Sequence, residues 1–279
     1  MMKLDEANRL DLQHHLWLHA LKGRLHLAPF PSDIQNALDI GTGTGIWAID
    51  FADMYPDCQV MGTDLSPIQP GWVPPNCQFM VDDADSGDEW DLPQMDYIHS
   101  RIITVGIKDW PRYFQRCMKT LKPGGWIEVQ EYIIDIYCAD GTCPEDDPAF
   151  QWSKINSEAM NKNGTDPRAA ARFGDYLRDV GFVNVTEVRE AWPIGASATE
   201  DEHSKILGQS MLYNITEATR SMNAFITRKL GWSKEEVDVL LSKLHTALKD
   251  DRRHHCVDMI VHYAQKPLYS SEASVSSKR

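Results

Sequence analysis

Leu38-Asp39-Ile40-Gly41-Thr42-Gly43-Thr44-Gly45-Ile46 runs an apolar strand into a glycine-rich turn and then into a helix that continues to Met54. Residues without a Cβ let such a turn bend through left-handed backbone and let a ligand lie against bare peptide. The helix that follows presents unpaired N–H groups and the positive end of its dipole to a carboxylate or phosphate. A dinucleotide fingerprint needs GxGxxG, with its third glycine packing helix against strand. That position is Ile46, so the fingerprint fails. A Walker loop ends in Gly-Lys-Ser/Thr, and the turn holds no lysine. What remains is an acidic residue one before the end of the strand, followed by GxGxG.

Outward from this turn, short apolar runs alternate with helical stretches. Ala37–Ile40, Gln59–Thr63, Cys77–Val81, Asp96–Ser100 and Trp126–Glu131 read as strands, with helices at Ile46–Met54 and Trp110–Leu121. That alternation predicts a parallel sheet wound by helices on both faces. Asp64 ends the second strand 19 residues after Gly45, where an ionised carboxylate accepts ribose hydroxyls. Asp83 and Ala84 follow the third strand, placed to read an adenine. Helices are expected at Phe150–Asn161 and Ala169–Val180, a strand at Val183–Glu190, and one or two helices over Glu202–Leu230. A helix over Glu235–Lys249 carries a Ser233/Glu236 capping box, and Cys256–Tyr263 supplies the last strand. The two-helix insertion, about 195–250, reads as a lid. A first helix, Glu6–Lys22, places polar Gln13 and His14 on the stripe of Leu10, Trp17 and Leu21. The organisation expected is a helical segment over 1–30 covering the cleft, a catalytic domain over 31–267, and a disordered Ser-rich tail over 268–279.

The series Gly41–Gly45, Asp64, Asp83-Ala84 and Leu121-Lys122-Pro123-Gly124-Gly125-Trp126 resembles the motifs of class I, Rossmann-like S-adenosylmethionine-dependent methyltransferases. A closer likeness covers about residues 6–267. Arg9–His14, Leu25-His26-Leu27-Ala28-Pro29, Gly41–Phe51, Gly62–Pro70, Ile107–Pro111, Gly231-Trp232-Ser233 and Lys266-Pro267 are similar to the LaeA-like fungal methyltransferases. The family usually carries a longer polar extension before the first helix than stands here. The resemblance implies an α/β fold with a seven-stranded, mostly parallel, doubly wound sheet whose last strand is antiparallel. It implies S-adenosylmethionine held by Gly41, Thr42, Gly43, Gly45, Asp64, Leu65, Asp83 and Ala84, with Gln13, His14 and Arg101 beside them. Members of the family are tailoring enzymes on small molecules or regulators of secondary metabolism acting through protein complexes.

Methyl transfer from a sulfonium is an in-line displacement, so alignment of the acceptor and exclusion of water are the protein's main tasks. A base is needed only where the acceptor loses its proton in the transition state. On the fourth strand Tyr97, His99 and Arg101 share one face by period two. His99 is the candidate base. The alternative is that His99 and Arg101 bond the methionine carboxylate or the first helix. Glu131 is a second candidate near the acceptor, with a structural role as its alternative. The Asn/Asp-Pro-Pro-Tyr/Phe signature of nucleobase methyltransferases is missing, and no acidic cluster specifies magnesium, so no metal is expected in the chemistry. Trp152, Met211, Tyr213 and Phe225 either line an apolar acceptor pocket or form plain core. Arg252-Arg253-His254-His255 reads as a solvated helix cap.

Charge agrees with this class. Of 279 residues, 28 are Lys or Arg and 41 are Asp or Glu, a formal net charge of −13, which opposes nucleic-acid binding. No signal-peptide h-region and no span of roughly 20 apolar residues is visible. The six cysteines form no CxxC pair; Cys138 and Cys143 make a lone CxxxxC. A reducing compartment, cytoplasmic and also nuclear for a regulator, is the expectation.

Overall fold

The structure, a computed structural model, describes residues 2–87, 89–196 and 200–268, with side chains described except at 2–5 and 221–224. In chain order it comprises α1 (Met2–Ala20), β1 (Asn36–Ile40), α2 (Ile46–Met54), β2 (Gln59–Asp64), β3 (Cys77–Val81), β4 (Met95–Arg101), α3 (Trp110–Thr120) and β5 (Leu121–Cys138). There follow α4 (Pro148–Asn163), a 3-10 turn (Ala169–Arg172), α5 (Phe173–Val180), β6 (Val183–Pro193), α6 (Glu202–Leu230), α7 (Lys234–Leu248) and β7 (His255–Gln265). The sheet order is β3-β2-β1-β4-β5-β7-β6. The β1–β2, β1–β4, β2–β3 and β4–β5 pairs are parallel, whereas β7 runs antiparallel to both β5 and β6. Among the described residues no helix is long and apolar enough to cross a membrane.

Side-chain alternation along the strands sorts the core into layers. Leu38, Ile40, Ile98, Ile127, Val129 and Ile133 face α3 and α5, meeting Phe114, Phe173 and Leu177. The opposite face over β1, β2 and β4 packs Trp47, Ala48 and Phe51 of α2 against Ala37, Val60 and Tyr97. Over β5, β7 and β6 that face is closed by α1, α4, α6 and α7 in one apolar cluster that includes Trp17, Trp152, Met211, Trp192 and Leu244. Trp152 and Met211 are therefore core, Phe225 packs half-buried against them, and Tyr213 is exposed.

Most boundaries shift by a few residues, the stretch expected as one helix over Ala169–Val180 divides into the 3-10 turn and α5, and the larger departures are at α1 and β5. Helix α1 begins earlier and stops at Ala20, with Gly23 N–H closing it onto Leu18 O at 2.7 Å. Strand β5 runs from Leu121 to Cys138 because β7 pairs along it from Trp126↔Gln265 to Cys138↔His255. Its turn Lys122–Gly125 survives only as an irregularity in the β4–β5 register, tied down by Lys266 N–H to Gly125 O at 2.8 Å. Helix α6 is one unbroken element, capped by Asp201. The tail expected to be disordered lies, from residue 269 on, outside the described residues.

Candidate active site

Parallel pairing brings the carboxyl ends of β1, β2, β3 and β4 to one edge, so Gly41–Gly45, Asp64-Leu65, Asp83-Ala84 and Arg101 share a crevice although they span 61 residues. Gly41 has φ +72°, and a Cβ there would lie 2.3 Å from Ile103 Cγ2. Gly45, the residue before α2, has φ +83°, and a Cβ there would lie 2.3 Å from Phe79 Cζ. Both positions demand glycine on two counts, conformation and space. Thr42 is buried and donates its hydroxyl to Asp39 Oδ2 at 2.6 Å, fixing the bend from below.

Asp64 takes part in holding the turn. Its Oδ2 accepts from Gly43 N–H at 2.9 Å and its Oδ1 from Ser66 N–H at 2.8 Å. An ionised carboxylate offers about four acceptor sites, so two remain for ribose hydroxyls. Leu65 beside it is 65% exposed, an apolar surface ready for a flat ring. Asp82 N–H reaches Asp64 O at 3.1 Å, which ties the ends of β2 and β3 together. Asp83 Oδ1 accepts from Asp85 N–H, and Ala84 O is held by Arg116 Nη1 at 2.6 Å. Asp64→Ala removes two loop anchors and the acceptor sites left over for a ligand's hydroxyls. Charge-assisted bonds of about 1.5–3 kcal/mol each set the expected loss of donor affinity at roughly tenfold or more, read by calorimetry.

The first helix lies across the turn. Leu10 Cδ1 stands 3.3 Å from where a Cβ of Gly43 would be, and Thr44 Oγ1 donates to Asp11 Oδ1 at 2.6 Å. Gln13 and His14 are buried, as their place on the apolar stripe requires. His14 Nδ1 meets Arg101 Nη2 at 3.1 Å, and its Nε2 meets Asp50 Oδ2 at 2.8 Å. Guanidinium only donates, so Nδ1 accepts and Nε2–H donates to Asp50, a neutral imidazole. Burial, by lowering the His14 pKa, favours the same state. Arg101 itself is pushed down to about 10 by burial, and among the described residues no carboxylate pairs with it. A half-buried cation with no carboxylate in direct contact, next to a helix N-terminus and a bare-backbone turn, is suited to the α-carboxylate of an amino-acid ligand. The residues present therefore fit S-adenosylmethionine.

His99 stands apart from this opening. It is fully buried, stacked on Trp47 at 3.8 Å with rings 6° from parallel, and its Nδ1 lies 2.7 Å from Asp39 Oδ1. In this conformation the ring is presented to no acceptor; it braces the underside of the turn through Asp39 and Thr42. Glu131, 1% exposed, accepts from Ile103 N–H at 2.6 Å and Thr104 N–H at 3.1 Å through one oxygen. It thereby holds the segment after β4, in which Ile102 adopts φ +55°, a costly conformation for a β-branched residue. That backbone strain leaves no mark in a single sequence.

Sequence reasoning also missed Glu128, whose fully buried carboxylate accepts from Leu27 N–H at 2.8 Å and Ala28 N–H at 2.7 Å. Trp47 Nε1–H and Gln130 Nε2–H both reach Leu25 O. These bonds lash the Leu25–Pro29 stretch across β5 beneath α1. The alternating Glu128-Val129-Gln130, polar on one face of a central strand, was the available signal.

The Arg252–His255 run departs from a solvated cap. Arg252 does pair with Asp250, but Arg253 Nη1 reaches Asp147 Oδ2 at 2.7 Å and His255 is fully buried, its Nε2 3.1 Å from Asp147 Oδ1. Strand β7 starts at His255, so the last of the four residues points inward rather than to solvent.

Comparison with known proteins agrees with this geometry. A family model described as a methyltransferase domain matches residues 12–187. The methyltransferase pytC of Aspergillus terreus is 38% identical over 94% of this chain and 81% of its own length. The secondary metabolism regulator laeA of Aspergillus fumigatus is 30% identical over 95% of this chain and 71% of its own. The solved structure of the YcgJ protein from Bacillus subtilis shares the fold with a TM-score of 0.50 and 16% identity, covering 91% of this chain and 99% of that one. The chain belongs to the methyltransferase-domain family, among its LaeA-like fungal members, and is an S-adenosylmethionine-dependent methyltransferase.

Proposed function

We propose that this methyltransferase acts on an oxygen or nitrogen of an apolar or aromatic small molecule of secondary metabolism. The observation that supports an aromatic acceptor is a cluster beside Arg101. Trp17, Tyr132 and Trp192 pack with ring centroids 5.0–5.6 Å apart; Trp192 Nε1 is buried without a hydrogen-bond partner, and Trp17 Nε1 and the Tyr132 hydroxyl make no well-formed bond beyond their weak interaction with each other. Buried indole and phenol donors ordinarily find a partner, and an acceptor carrying a ring and an oxygen supplies both surface and acceptor atom.

The donor brings an activated sulfonium methyl, so the residues of the chain need only bind and align. Arg101, fixed by His14, holds the amino-acid carboxylate, with Gln13 beside it; Gly41, Thr42, Gly43 and Gly45 shape the turn; Asp64 takes the ribose; Leu65, Asp83 and Ala84 frame the adenine. The segment over residues 1–30 covers this cleft, and the helices within 195–250 wall the acceptor side of the domain over 31–267. His99 positions the turn, and the acceptor's own acidity decides whether a base is required. The setting is the cell interior. Purified protein incubated with labelled donor and an extract of cells lacking it should give a labelled small product, and label confined to protein would sink this reading. Tyr132→Phe is expected to lower kcat/KM for that product's precursor by about tenfold, the scale of one hydrogen bond, while donor affinity stays unchanged.

A second reading is a cofactor-binding regulator that works through a protein complex, in the cytoplasm and nucleus. The sealed position of His99 and the likeness to a secondary metabolism regulator favour it. Stoichiometric partners in a pull-down at native expression, with no labelled small product, would select it.

A further inference from the structure

A second cluster of chemistry-bearing side chains lies outside the donor cleft, where the end of β5, the start of α4 and the start of β7 meet. Cys143, Asp147 and His255 each place one ligand-type atom within 4.8 Å of the other two. Asp147 and His255 are fully buried, and the thiol of Cys138 adjoins that of Cys143. We propose that this cluster binds a borderline-soft divalent transition cation of the zinc class, with Cys143 Sγ, the Asp147 carboxylate and His255 Nε2 as its three protein ligands and a solvent molecule as the fourth.

Dimensions support the assignment. Zinc bonds of about 2.3 Å to sulfur and 2.0–2.2 Å to nitrogen and oxygen set tetrahedral ligand–ligand edges at about 3.3–3.8 Å. The His255–Asp147 edge is 3.1 Å, and no pair of the three exceeds 4.8 Å, so movement of roughly 1 Å by the Cys143 side chain closes the site. Capping α4 explains only part of what is built here. Asp147 Oδ1 accepts from Ala149 N–H at 2.8 Å, a duty any aspartate performs alone. A fully buried imidazole from β7 and a thiol from the β5–α4 loop add nothing to that cap, yet the imidazole meets the same oxygen at 3.1 Å and the thiol lies within 4.8 Å of the carboxylate.

Charge and the outer shell agree. Arg253 Nη1 holds the other oxygen, Oδ2, and so orients the carboxylate without occupying the ligating one. The Cys143 thiolate, the Asp147 carboxylate, the Arg253 guanidinium and a dication sum to +1, which the Asp140 carboxylate at the rim offsets. Asp140 braces the rim, its Oδ1 3.1 Å from Cys138 Sγ and its Oδ2 2.5 Å from His254 Nδ1. The three ligands come from the β5–α4 loop, the start of α4 and the start of β7, away from the donor cleft, so the ion is a clip joining these segments rather than a participant in methyl transfer.

The test uses the untagged full chain, stripped by dialysis against a chelator and titrated with cobalt chloride. Uptake of about one cobalt per chain is expected, with strong ligand-field absorption of a tetrahedral site, a thiolate-to-cobalt charge-transfer band, and bleaching of both on adding zinc. Cys143→Ser should cut the charge-transfer band and weaken uptake, whereas Cys58→Ser, a buried thiol of another cluster, should leave both unchanged. No uptake, a weak octahedral spectrum, or a band insensitive to Cys143→Ser would overturn the proposal. Should that variant not fold, X-ray absorption of zinc added to the stripped native chain decides instead: sulfur and nitrogen neighbours support the site, and oxygen neighbours alone reject it.

Discussion

Gly41→Ala is expected to cost the protein several kcal/mol and to weaken donor binding at least about tenfold. Two independent terms add. Left-handed backbone at φ +72° carries a penalty of about 1–2 kcal/mol for a residue with a Cβ. The new Cβ also falls 2.3 Å from Ile103 Cγ2, an overpacking that costs about 1–3 kcal/mol. Ile103 has little freedom to retreat, because its own N–H is fastened to Glu131 at 2.6 Å. The strain is relieved only by moving the turn or the segment after β4, and both line the donor cleft. Thermal melting should fall by roughly 5–15 °C and calorimetry should register the lost affinity. Ile103→Ala introduced into the variant removes the clash but not the φ penalty, so a double-mutant cycle should recover part of the loss. A variant that melts and binds like the native chain would remove the reason for glycine at this position.

Much of the fold was legible because its signals are local. The apolar run into Gly41–Gly45, the carboxylate closing β2 and the strand–helix alternation each occupy a few neighbouring residues, and the parallel topology follows from their order. The length of β5 was not legible, because residues 132–138 are strand only through their pairing with β7 more than a hundred residues away. The site divides the same way. Motif residues announce themselves by spacing, and period two placed His99 and Arg101 on one face. Their different fates depend on what covers that face. Trp47 of α2 seals His99, while α1 supplies His14 to Arg101. Packing of one helix over another's strand is a tertiary fact, with no trace in spacing. The buried carboxylates of Glu128 and Glu131 look alike in sequence, three residues apart. They face opposite sides of β5, so one fastens the Leu25–Pro29 stretch and the other the backbone after β4.

Glu131→Ala is expected to disable the enzyme more than Glu131→Gln, and the pair together measure what the carboxyl does. Alanine leaves Ile103 N–H and Thr104 N–H without their acceptor, at about 1–3 kcal/mol for each buried donor. It also frees Ile102 from φ +55°, a strain worth about 1–3 kcal/mol that survives only while its surroundings enforce it. Relaxation there withdraws Ile103 from Gly41, so kcat should fall together with stability. Glutamine keeps an oxygen where Glu131 Oε1 stands and should retain most of both. Protonation distinguishes the two groups further. Burial raises the Glu131 pKa from 4.5 to about 8, against the opposing pull of its backbone N–H bonds. In the folded chain it therefore holds a proton that the unfolded chain has already lost across that interval. Stability from this group is complete below about pH 4.5 and drains away as pH rises through about 8. The slope is at most about 1.4 kcal/mol per pH unit. Glutamine has no proton to lose, so its melting temperature should decline less steeply than the native chain's between about pH 5 and 8. Parallel declines in the two proteins would mean that Glu131 is ionised in the fold and holds the strained segment as a carboxylate.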